Sequence, residues 1–261
     1  MILSIASMWP RADRARQSSP ELFGNDPQTL RSDFTERKPG IPQLLLVEQP
    51  VPGSTVMPHY HSTDQFQIFL DGSGKLGRHE LHPISIHYTN RYTGYGPIVA
   101  GPSGVSYYVL RPQFDELVTG QYLHIPELRE RLKRQPGRKR SIIVDGVAVK
   151  TLEELSRITA PVSERAIDLE ADKHDPGLFA DVLSMGPNMP YTAPDPQTGG
   201  GQVFLVLQGS MRCNHTSYAV RSALALTREE KVLTVTSGET GLQALVLQYP
   251  RREPAQNIAV M

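Results

Sequence analysis

An internal repeat constrains the fold of this chain more than any other feature of its sequence. In the first half, Gln65 is followed after six residues by Gly72, and in the second half Gln202 is followed after six residues by Gly209. The residues in between are mostly apolar in both copies, which is typical of a buried strand. A strand and glycine repeated in this way predict that one folding unit occurs twice in the 261 residues.

Short strand-like segments surround the first copy and return throughout the second. The chain contains 21 glycines and 22 prolines, which favour turns over long helices. The predicted strands of the first half are Leu44–Val47, Val56–His61, Gln65–Leu70, Ile84–Tyr88 and Val105–Leu110, and strand character resumes from Ala166 to Pro250. Asp71-Gly72 is predicted to form a turn after the third of these strands. This pattern is typical of a β-sandwich or jelly roll.

The segment between the repeats has a different character. Pro126–Arg134 has helical spacing and is followed by the helix-breaking pair Pro136-Gly137. Thr151–Arg157 is predicted to be a second short helix, with Thr151 and Glu154 forming a capping box. The many arginines and lysines of residues 129–140 are read as a solvated linker surface, with an anionic partner as the alternative.

Two histidines on one predicted strand are the main candidate functional residues. His59 and His61 are two residues apart, so their side chains point to the same face of a strand. Gly53 precedes the pair, while Gln65 and then Gly72 follow it. This segment resembles the first metal-binding motif of the cupin superfamily, except that the family has a glutamate where this chain has Gln65.

A second segment resembles the other motif of that superfamily. It consists of Gly96, then Pro102-Ser103-Gly104, then Tyr107, which stands where the family has a third histidine. The second half of the chain contains no His-x-His pair, and Pro190–Ala193 is aligned with Pro58–His61. The resemblance therefore implies a site in the first unit only.

The fold implied by the resemblance is all-β. It consists of two tandem cupin double-stranded β-helix (jelly-roll) barrels joined by a partly helical linker. The expected division of the chain is an N-terminal arm at 1–40, an N-terminal barrel carrying the site at 41–112, a helical and basic linker at 113–160, a C-terminal barrel without metal ligands at 161–252, and a tail at 253–261.

The resemblance also implies a function. We expect a single divalent metal such as Fe, Zn, Ni or Mn, bound by His59, His61 and, weakly, by Gln65. The protein would then be an enzyme of the dioxygenase, isomerase or lyase type that acts on a small organic molecule, with Tyr107 and His59 as catalytic groups. Expected substrate contacts are Gln67, Tyr88, Tyr95 and Tyr107. Further inward candidates are His87 and Asp64, the latter as a replacement carboxylate.

Two other functions remain open at this stage. The first is a metal-free cupin that binds a small ligand or uses His59 or His61 as a general base near neutral pH. The second is a structural or regulatory protein that docks a partner through Arg138-Lys139-Arg140.

Composition excludes several classes of function. Lys and Arg together number 27, as do Asp and Glu, and the resulting net charge of zero argues against a nucleic-acid or membrane surface. The single cysteine, Cys213, excludes an intrachain disulfide and a multi-cysteine zinc site. The sequence shows neither a signal peptide nor a long apolar run, so the expected location is the cytoplasm. The resemblance implies a homodimer.

Overall fold

A computed structural model of the chain describes residues 2–5, 17–18, 29–115, 117 and 121–252. The strands in these residues are β1 (Ile2–Ile5), β2 (Gln17–Ser18), β3 (Leu30–Asp33), β4 (Gln43–Gln49), β5 (Thr55–Val56), β6 (His59–Tyr60), β7 (Gln65–Leu76), β8 (His79–Leu81), β9 (Ile86–Thr89), β10 (Ile98–Arg111), β11 (Gln121–Tyr122), β12 (Ser141–Val144), β13 (Val162–Leu169), β14 (Leu178–Met185), β15 (Pro190–Thr192), β16 (Gln202–Cys213), β17 (Thr216–Ala219), β18 (Ala223–Leu226) and β19 (Thr234–Gln248). The helices are α1 (Pro126–Lys133) and α2 (Leu152–Ser156), with a 3₁₀ turn at Pro196–Thr198.

The described strands form two large antiparallel sheets, each wrapped into a jelly-roll barrel. The first has the order β12-β9-β7-β10-β4-β3-β2, with β5 beside β10 and β8 beside β7. The second has the order β1-β18-β16-β19-β14-β13, with β15 beside β19 and β17 beside β16. Strands β6 and β11 pair separately. The all-β prediction of two tandem barrels is confirmed, and β1 joins the C-terminal barrel although it precedes the N-terminal barrel in the chain.

The internal repeat is visible in the strand register. Gln67 lies between His87 on β9 and Val109 on β10, and Phe204 lies between Leu224 on β18 and Val246 on β19. In the same register Tyr107 is equivalent to Ala244, since they lie opposite Phe69 and Val206. Similarly, Val56 and Tyr191 are equivalent because they lie opposite Ile98 and Val235, so the sequence match of Pro58 with Pro190 is out of register. Such shifts matter because a slip of one residue reverses the faces of a strand.

The turn predicted at Asp71-Gly72 is wrong. Strand β7 continues to Leu76, and Gly72 lies beside an irregularity in the pairing of β7 with β10. Gly72 has φ +77°, and a Cβ there would lie 2.1 Å from the carbonyl oxygen of Gly104. The glycine is therefore required by a bulge, which needs the same backbone freedom as a turn.

Alternation along β10 separates two apolar layers. Tyr107 and Val109 point into the N-terminal barrel, whereas Tyr108 and Leu110 point into a layer that also contains Tyr249 and other side chains of the C-terminal barrel. The interior of the C-terminal barrel is filled by apolar residues. Burial of these layers stabilises the pair of barrels by roughly 25 cal/mol per Å² of apolar surface removed from water. The apolar filling of the N-terminal barrel gives way to polar residues near its histidines.

The helices lie in the segment that joins the repeats. The predicted capping box of α2 is confirmed, because the Thr151 hydroxyl accepts from the Glu154 amide and the Glu154 carboxylate accepts from the Thr151 amide. Neither helix in the described part of the chain is long and apolar enough to cross a membrane.

Candidate functional site

Strand β6 and the residue after it place the two histidines inside the N-terminal barrel. The ring centroids of His59 and His61 are 5.0 Å apart and the rings are almost perpendicular, at 88°. Both side chains are buried. The backbone of His59 is fixed by two hydrogen bonds with Tyr95, of 3.1 and 3.0 Å. The two-residue spacing therefore brings both imidazoles into one volume, as the sequence indicates.

A directional chain of hydrogen bonds ends at His59. Arg111 Nε donates to Gln65 Oε1 at 3.0 Å, and the Gln65 amide nitrogen donates to the Tyr95 hydroxyl at 2.6 Å. The Tyr95 hydroxyl lies 2.8 Å from His59 Nε2, and His59 Nδ1 lies 2.7 Å from the Met57 carbonyl oxygen. A guanidinium only donates and a carbonyl only accepts, so the direction of every bond is determined. His59 therefore carries its proton on Nδ1, and both of its nitrogens are engaged.

The amide of Gln65 is essential to this direction. It accepts from Arg111 and donates to Tyr95 at the same time. A carboxylate at this position would accept from both, and Tyr95 would then direct its proton away from His59. A glutamine rather than a carboxylate at this position thus changes the polarity of the hydrogen-bond chain as well as the charge of the site.

His61 has a different environment, because it is paired with a carboxylate. Its Nδ1 lies 2.5 Å from Asp115 Oδ2. The other oxygen of Asp115 accepts from the Ser62 hydroxyl and from the backbone amides of Ser62 and Leu117, both at 3.2 Å. Among the described residues, His61 Nε2 has no hydrogen-bond partner. We refer to His61 and Asp115 as the dyad.

Burial and charge keep both histidines neutral. Burial, together with the nearby His61, lowers the pKa of His59 to about 3. Burial and the charge of Arg111 lower the pKa of His61 to about 4, and they outweigh the opposite effect of Asp115. Burial alone would raise the pKa of the Asp115 carboxyl, but the hydrogen bond from His61 and the charges of His61 and Arg111 hold it below its usual range. At neutral pH the dyad is a neutral imidazole beside an ionised carboxylate.

The comparisons with known proteins concern this fold. No family model matches the chain, and no curated protein matches it. Among solved structures, the pirin YhhW from Escherichia coli in complex with nickel(II) has a TM-score of 0.56 at 10% identity, covering 97% of this chain and 100% of the other. The oxalate decarboxylase of Lactobacillus farciminis in its formate complex has a TM-score of 0.54 at 11% identity, covering 97% and 87%. A variant of the Bacillus subtilis oxalate decarboxylase OxdC has the same TM-score and identity, covering 97% and 78%. The chain is a bicupin in fold.

A second polar row lies beside the histidine pair in the N-terminal barrel. His87 Nδ1 is 2.7 Å from Gln67 Oε1, and its Nε2 is 2.9 Å from the Ser141 hydroxyl. The ring of His87 is 5.2 Å from that of Tyr95. Burial lowers the pKa of His87 to about 3. Since both of its nitrogens are engaged, His87 positions Gln67 and Tyr95 and is a poor candidate for a ligand contact.

The contacts of the other predicted site residues lie outside the dyad. Tyr107 lies in the apolar interior, with its ring 5.0 Å from Phe69, and burial raises its pKa well above the usual range. Tyr88 lies on the opposite face of β9, in the layer between the barrels, where it packs on Phe66 at 5.1 Å. Asp64 is also directed away, because Arg252 donates to both of its oxygens at 2.8 and 2.6 Å.

Two residues of the site were missed by the sequence analysis. Arg111 has the same strand parity as Tyr107, so its inward direction follows once β10 is recognised as a strand that extends to this residue. Asp115 lies in the loop after β10 and reaches His61 across 54 positions of the chain. No local pattern in the sequence marks such a contact.

The described residues do not complete the metal site that the resemblance implies. They contain no cluster of three or more His, Cys, Asp or Glu side chains arranged to hold a metal ion. The position of the family's acid is occupied by Gln65, whose oxygen is bonded to Arg111. The buried guanidinium also adds a positive charge near the two histidines, and this charge opposes a second cation.

Proposed function

We propose that the N-terminal barrel binds a small organic molecule and transfers a proton to or from it, with the dyad as the acid–base group. The observation that carries this proposal is the contrast between the two histidines. His59 is bonded at both nitrogens, whereas His61 is bonded to Asp115 at Nδ1 and has no described partner at Nε2. A buried carboxylate orients an imidazole and stabilises the imidazolium that forms when the imidazole accepts a proton.

The roles of the surrounding groups follow from their bonds. His61 Nε2 is the base, and Asp115 stabilises the positive charge that develops on the ring. The single proton of the Tyr95 hydroxyl is donated to His59 Nε2, and a ligand oxygen that replaces this acceptor would receive it, which makes Tyr95 the candidate donor to the ligand. Each bond from Arg111 through Gln65 to Tyr95 polarises the next in the same direction, which strengthens the Tyr95 hydroxyl as a donor. This arrangement suits proton abstraction next to a carbonyl group, where negative charge develops on the carbonyl oxygen.

Hydrogen exchange tests this proposal without knowledge of the natural substrate. The protein is incubated in D₂O with a panel of small carbonyl compounds and sugars, and deuterium incorporation is followed by mass spectrometry. His61→Ala and Asp115→Asn should reduce exchange by about 100-fold or more, the usual contribution of a general base. His82→Gln, at an exposed position, is the matched control and should exchange at the wild-type rate. Full exchange in both dyad variants would contradict the proposal.

A divalent metal at His59 and His61 is the second candidate, and one observation favours it. Both Nδ1 atoms are bonded to acceptors, the Met57 carbonyl and Asp115, an arrangement that commonly supports metal-ligating imidazoles. Imidazole accommodates Fe, Zn, Ni and Mn to different degrees. The nickel(II) complex of the Escherichia coli pirin is a metal-bound example of this fold.

Elemental analysis separates the two candidates. Near-stoichiometric metal in the purified protein, absent from a His59→Ala/His61→Ala double variant, would favour the metal site and contradict the metal-free dyad. No metal after incubation with Fe(II), Zn(II), Ni(II) and Mn(II) would favour the dyad.

The homodimer implied by the resemblance remains a prediction, which light scattering on the full chain would test.

A further inference from the structure

A groove between the two barrels contains arginines that the proposed proton-transfer site does not use. Two adjoining cavities, of about 340 and 260 Å³, share Arg91 and Arg252 in their linings. The smaller cavity is lined by Asn90, Arg91, Pro136, Gly137, Arg138, His174 and Arg252, with no carboxylate among them. We refer to this smaller cavity as the arginine groove.

The arginines around this groove are of two kinds. Arg252 is neutralised, since it donates to Asp64 at 2.8 and 2.6 Å and to Asp175 at 2.6 Å. Arg91 and Arg138, in contrast, form no ion pair and no side-chain hydrogen bond with any described residue. Both are exposed, so their guanidinium groups are available to a ligand that enters the groove.

The backbone that carries Arg138 is fixed by the N-terminal barrel. The buried side chain of Asn90 donates to the Arg138 carbonyl at 2.8 Å and accepts from the Arg140 amide at 2.9 Å. Asn90 is also the neighbour of Arg91 in the chain. One buried amide therefore holds the two arginine-bearing segments together, which reduces the entropy lost when both arginines bind one ligand.

The local charge is positive although the whole chain has a formal net charge of zero. Lys139 adjoins the groove, with its amine 5.8 Å from the centre of the Tyr92 ring. Partial burial and the charge of Arg91 lower the pKa of Lys139, which shows that these cations are close enough to repel one another. An anion in the groove would relieve this repulsion.

We propose that the arginine groove is a binding site for the phosphate group of a small molecule, with Arg91 and Arg138 as its two ligating residues. The planar guanidinium group donates two parallel hydrogen bonds to the oxygens of one phosphate. The larger cavity, which continues from the groove past Arg252 to Ser62 and Thr63, has room for the rest of the molecule. Neither residue of the dyad lines the arginine groove, and occupation of the groove does not require proton transfer.

Titration of the full chain with inorganic phosphate and pyrophosphate tests this proposal by calorimetry at low salt. Wild type should bind saturably, pyrophosphate more tightly than phosphate. Arg91→Gln and Arg138→Gln should each weaken binding about tenfold, as expected for the loss of one charge-assisted contact. Both positions are exposed, so the variants should fold, and melting curves test this. The matched control is Arg129→Gln/Arg134→Gln, which also removes two positive charges, but from exposed positions outside the groove lining.

Three results would overturn the existence of the site, and a fourth would overturn the assigned ligand class. The first is that wild type shows no saturable binding at millimolar phosphate. The second is that the Arg91→Gln/Arg138→Gln variant binds phosphate with unchanged affinity. The third is that the control pair loses as much affinity as this variant, which would indicate a general charge effect. Citrate binding as tight as pyrophosphate binding, and lost in the same variants, would replace the phosphate by a polycarboxylate and overturn the assigned ligand class. His61→Ala should bind phosphate as wild type does, so failure of the proton-transfer proposal is distinguishable from failure of this one.

Discussion

Phe204 and Leu224 occupy in the C-terminal barrel the positions that Gln67 and His87 occupy in the N-terminal barrel. The same register pairs Ala244 with Tyr107 and Gln248 with Arg111. One barrel thus has a polar end with two histidines and a buried arginine, whereas the interior of the other is apolar apart from the bonded pair of Gln202 and Gln248. The barrels differ at inward positions and share the β-sheet scaffold.

At the outward positions of the same strands, in contrast, the two barrels carry similar residues. Ile68 and Leu205 are both apolar, as are Leu110 and Leu247, and all four lie in the layer between the barrels. The packing of this layer is apolar in both copies. In a barrel interior, a polar residue is tolerated only where hydrogen-bond partners satisfy it. The difference between the barrels indicates that the polar residues of an interior are exchanged together, because a single buried polar substitution is costly.

Transfer of the polar row into the C-terminal barrel should have the largest effect. Phe204→Gln and Leu224→His should each lower the free energy of unfolding by about 3 kcal/mol, because each buries an unpaired polar group in an apolar core. In the double variant the two side chains can bond as Gln67 and His87 do, so its cost should be smaller than the sum by about 1 kcal/mol. Urea denaturation of the four proteins measures this difference. Additive costs would mean that the hydrogen bond between the two new side chains does not offset their burial, and that the polar row depends on further partners in the N-terminal barrel.

The reverse change, Arg111→Gln, gives the N-terminal barrel the residue of Gln248. It should cost about 3 kcal/mol, since it removes a buried charge that donates to Gln65 and Gln43 and faces Asp115 at 3.8 Å. Nitrogen NMR of labelled histidine should show that His59 keeps its proton on Nδ1, since the Met57 carbonyl still accepts from it. Arg157→Gln, which removes an exposed partner of Glu153, should cost about 0.5 kcal/mol or less. Equal costs for Arg111→Gln and Arg157→Gln would show that the buried arginine stabilises the N-terminal barrel no more than an exposed arginine does.

The buried histidines should make the N-terminal barrel sensitive to acid. The pKa values of His59, His61 and His87 are lowered to about 3, 4 and 3, so the unfolded chain binds more protons below its own histidine pKa near 6.5. Their contribution is complete above that pH and is lost as the pH falls toward 4, at up to about 1.4 kcal/mol per pH unit for each histidine. Denaturation at a series of pH values measures the slope.

A matched variant assigns part of this slope. His87→Leu copies Leu224 and should reduce the proton uptake on unfolding by about one proton between pH 6 and 4, whatever its cost at neutral pH. An unchanged slope would show that His87 does not remain neutral in the folded protein.

Gln65→Glu should have the smallest effect on stability, within about 1 kcal/mol, because the new carboxylate still accepts from Arg111. It should release His59 Nε2 from Tyr95 and raise the affinity for Ni(II) about tenfold, since it adds an anionic ligand near two imidazoles. Calorimetric titration with Ni(II) measures this gain. Gln202→Glu, at the equivalent position of the histidine-free barrel interior, is the control and should gain nothing. No difference between the two variants would show that the histidines are not available to a metal.

The parts of the fold that follow from local pattern could be predicted from the sequence. The apolar runs of β7 and β16 mark the repeat, the two-residue spacing places His59 beside His61, and Thr151 with Glu154 defines the start of α2. Each depends on residues close together in the chain, where strand and helix geometry determines the relation between side chains.

The remaining features depend on distant parts of the chain. The contact between His61 and Asp115 requires the loop after β10 to return to β6, and the outward direction of Tyr88 depends on the register of β9. Gly72 was misread because a turn and a bulge both need a glycine with positive φ. In each case the sequence determines what a residue can do and tertiary pairing determines where it does it.

Strand β1 gives the molecule an unusual order of assembly. It is made before the N-terminal barrel, yet its partners, residues 223–226 of β18, leave the ribosome only after that whole barrel has been translated. Its contacts have very long sequence separation, which slows folding. A gene fragment that encodes only the C-terminal barrel would leave the edge of β18 without its neighbour, and such an open edge recruits strands from other molecules. Expression of the separate halves should therefore give aggregation of the second half, which the addition of β1 in trans would relieve.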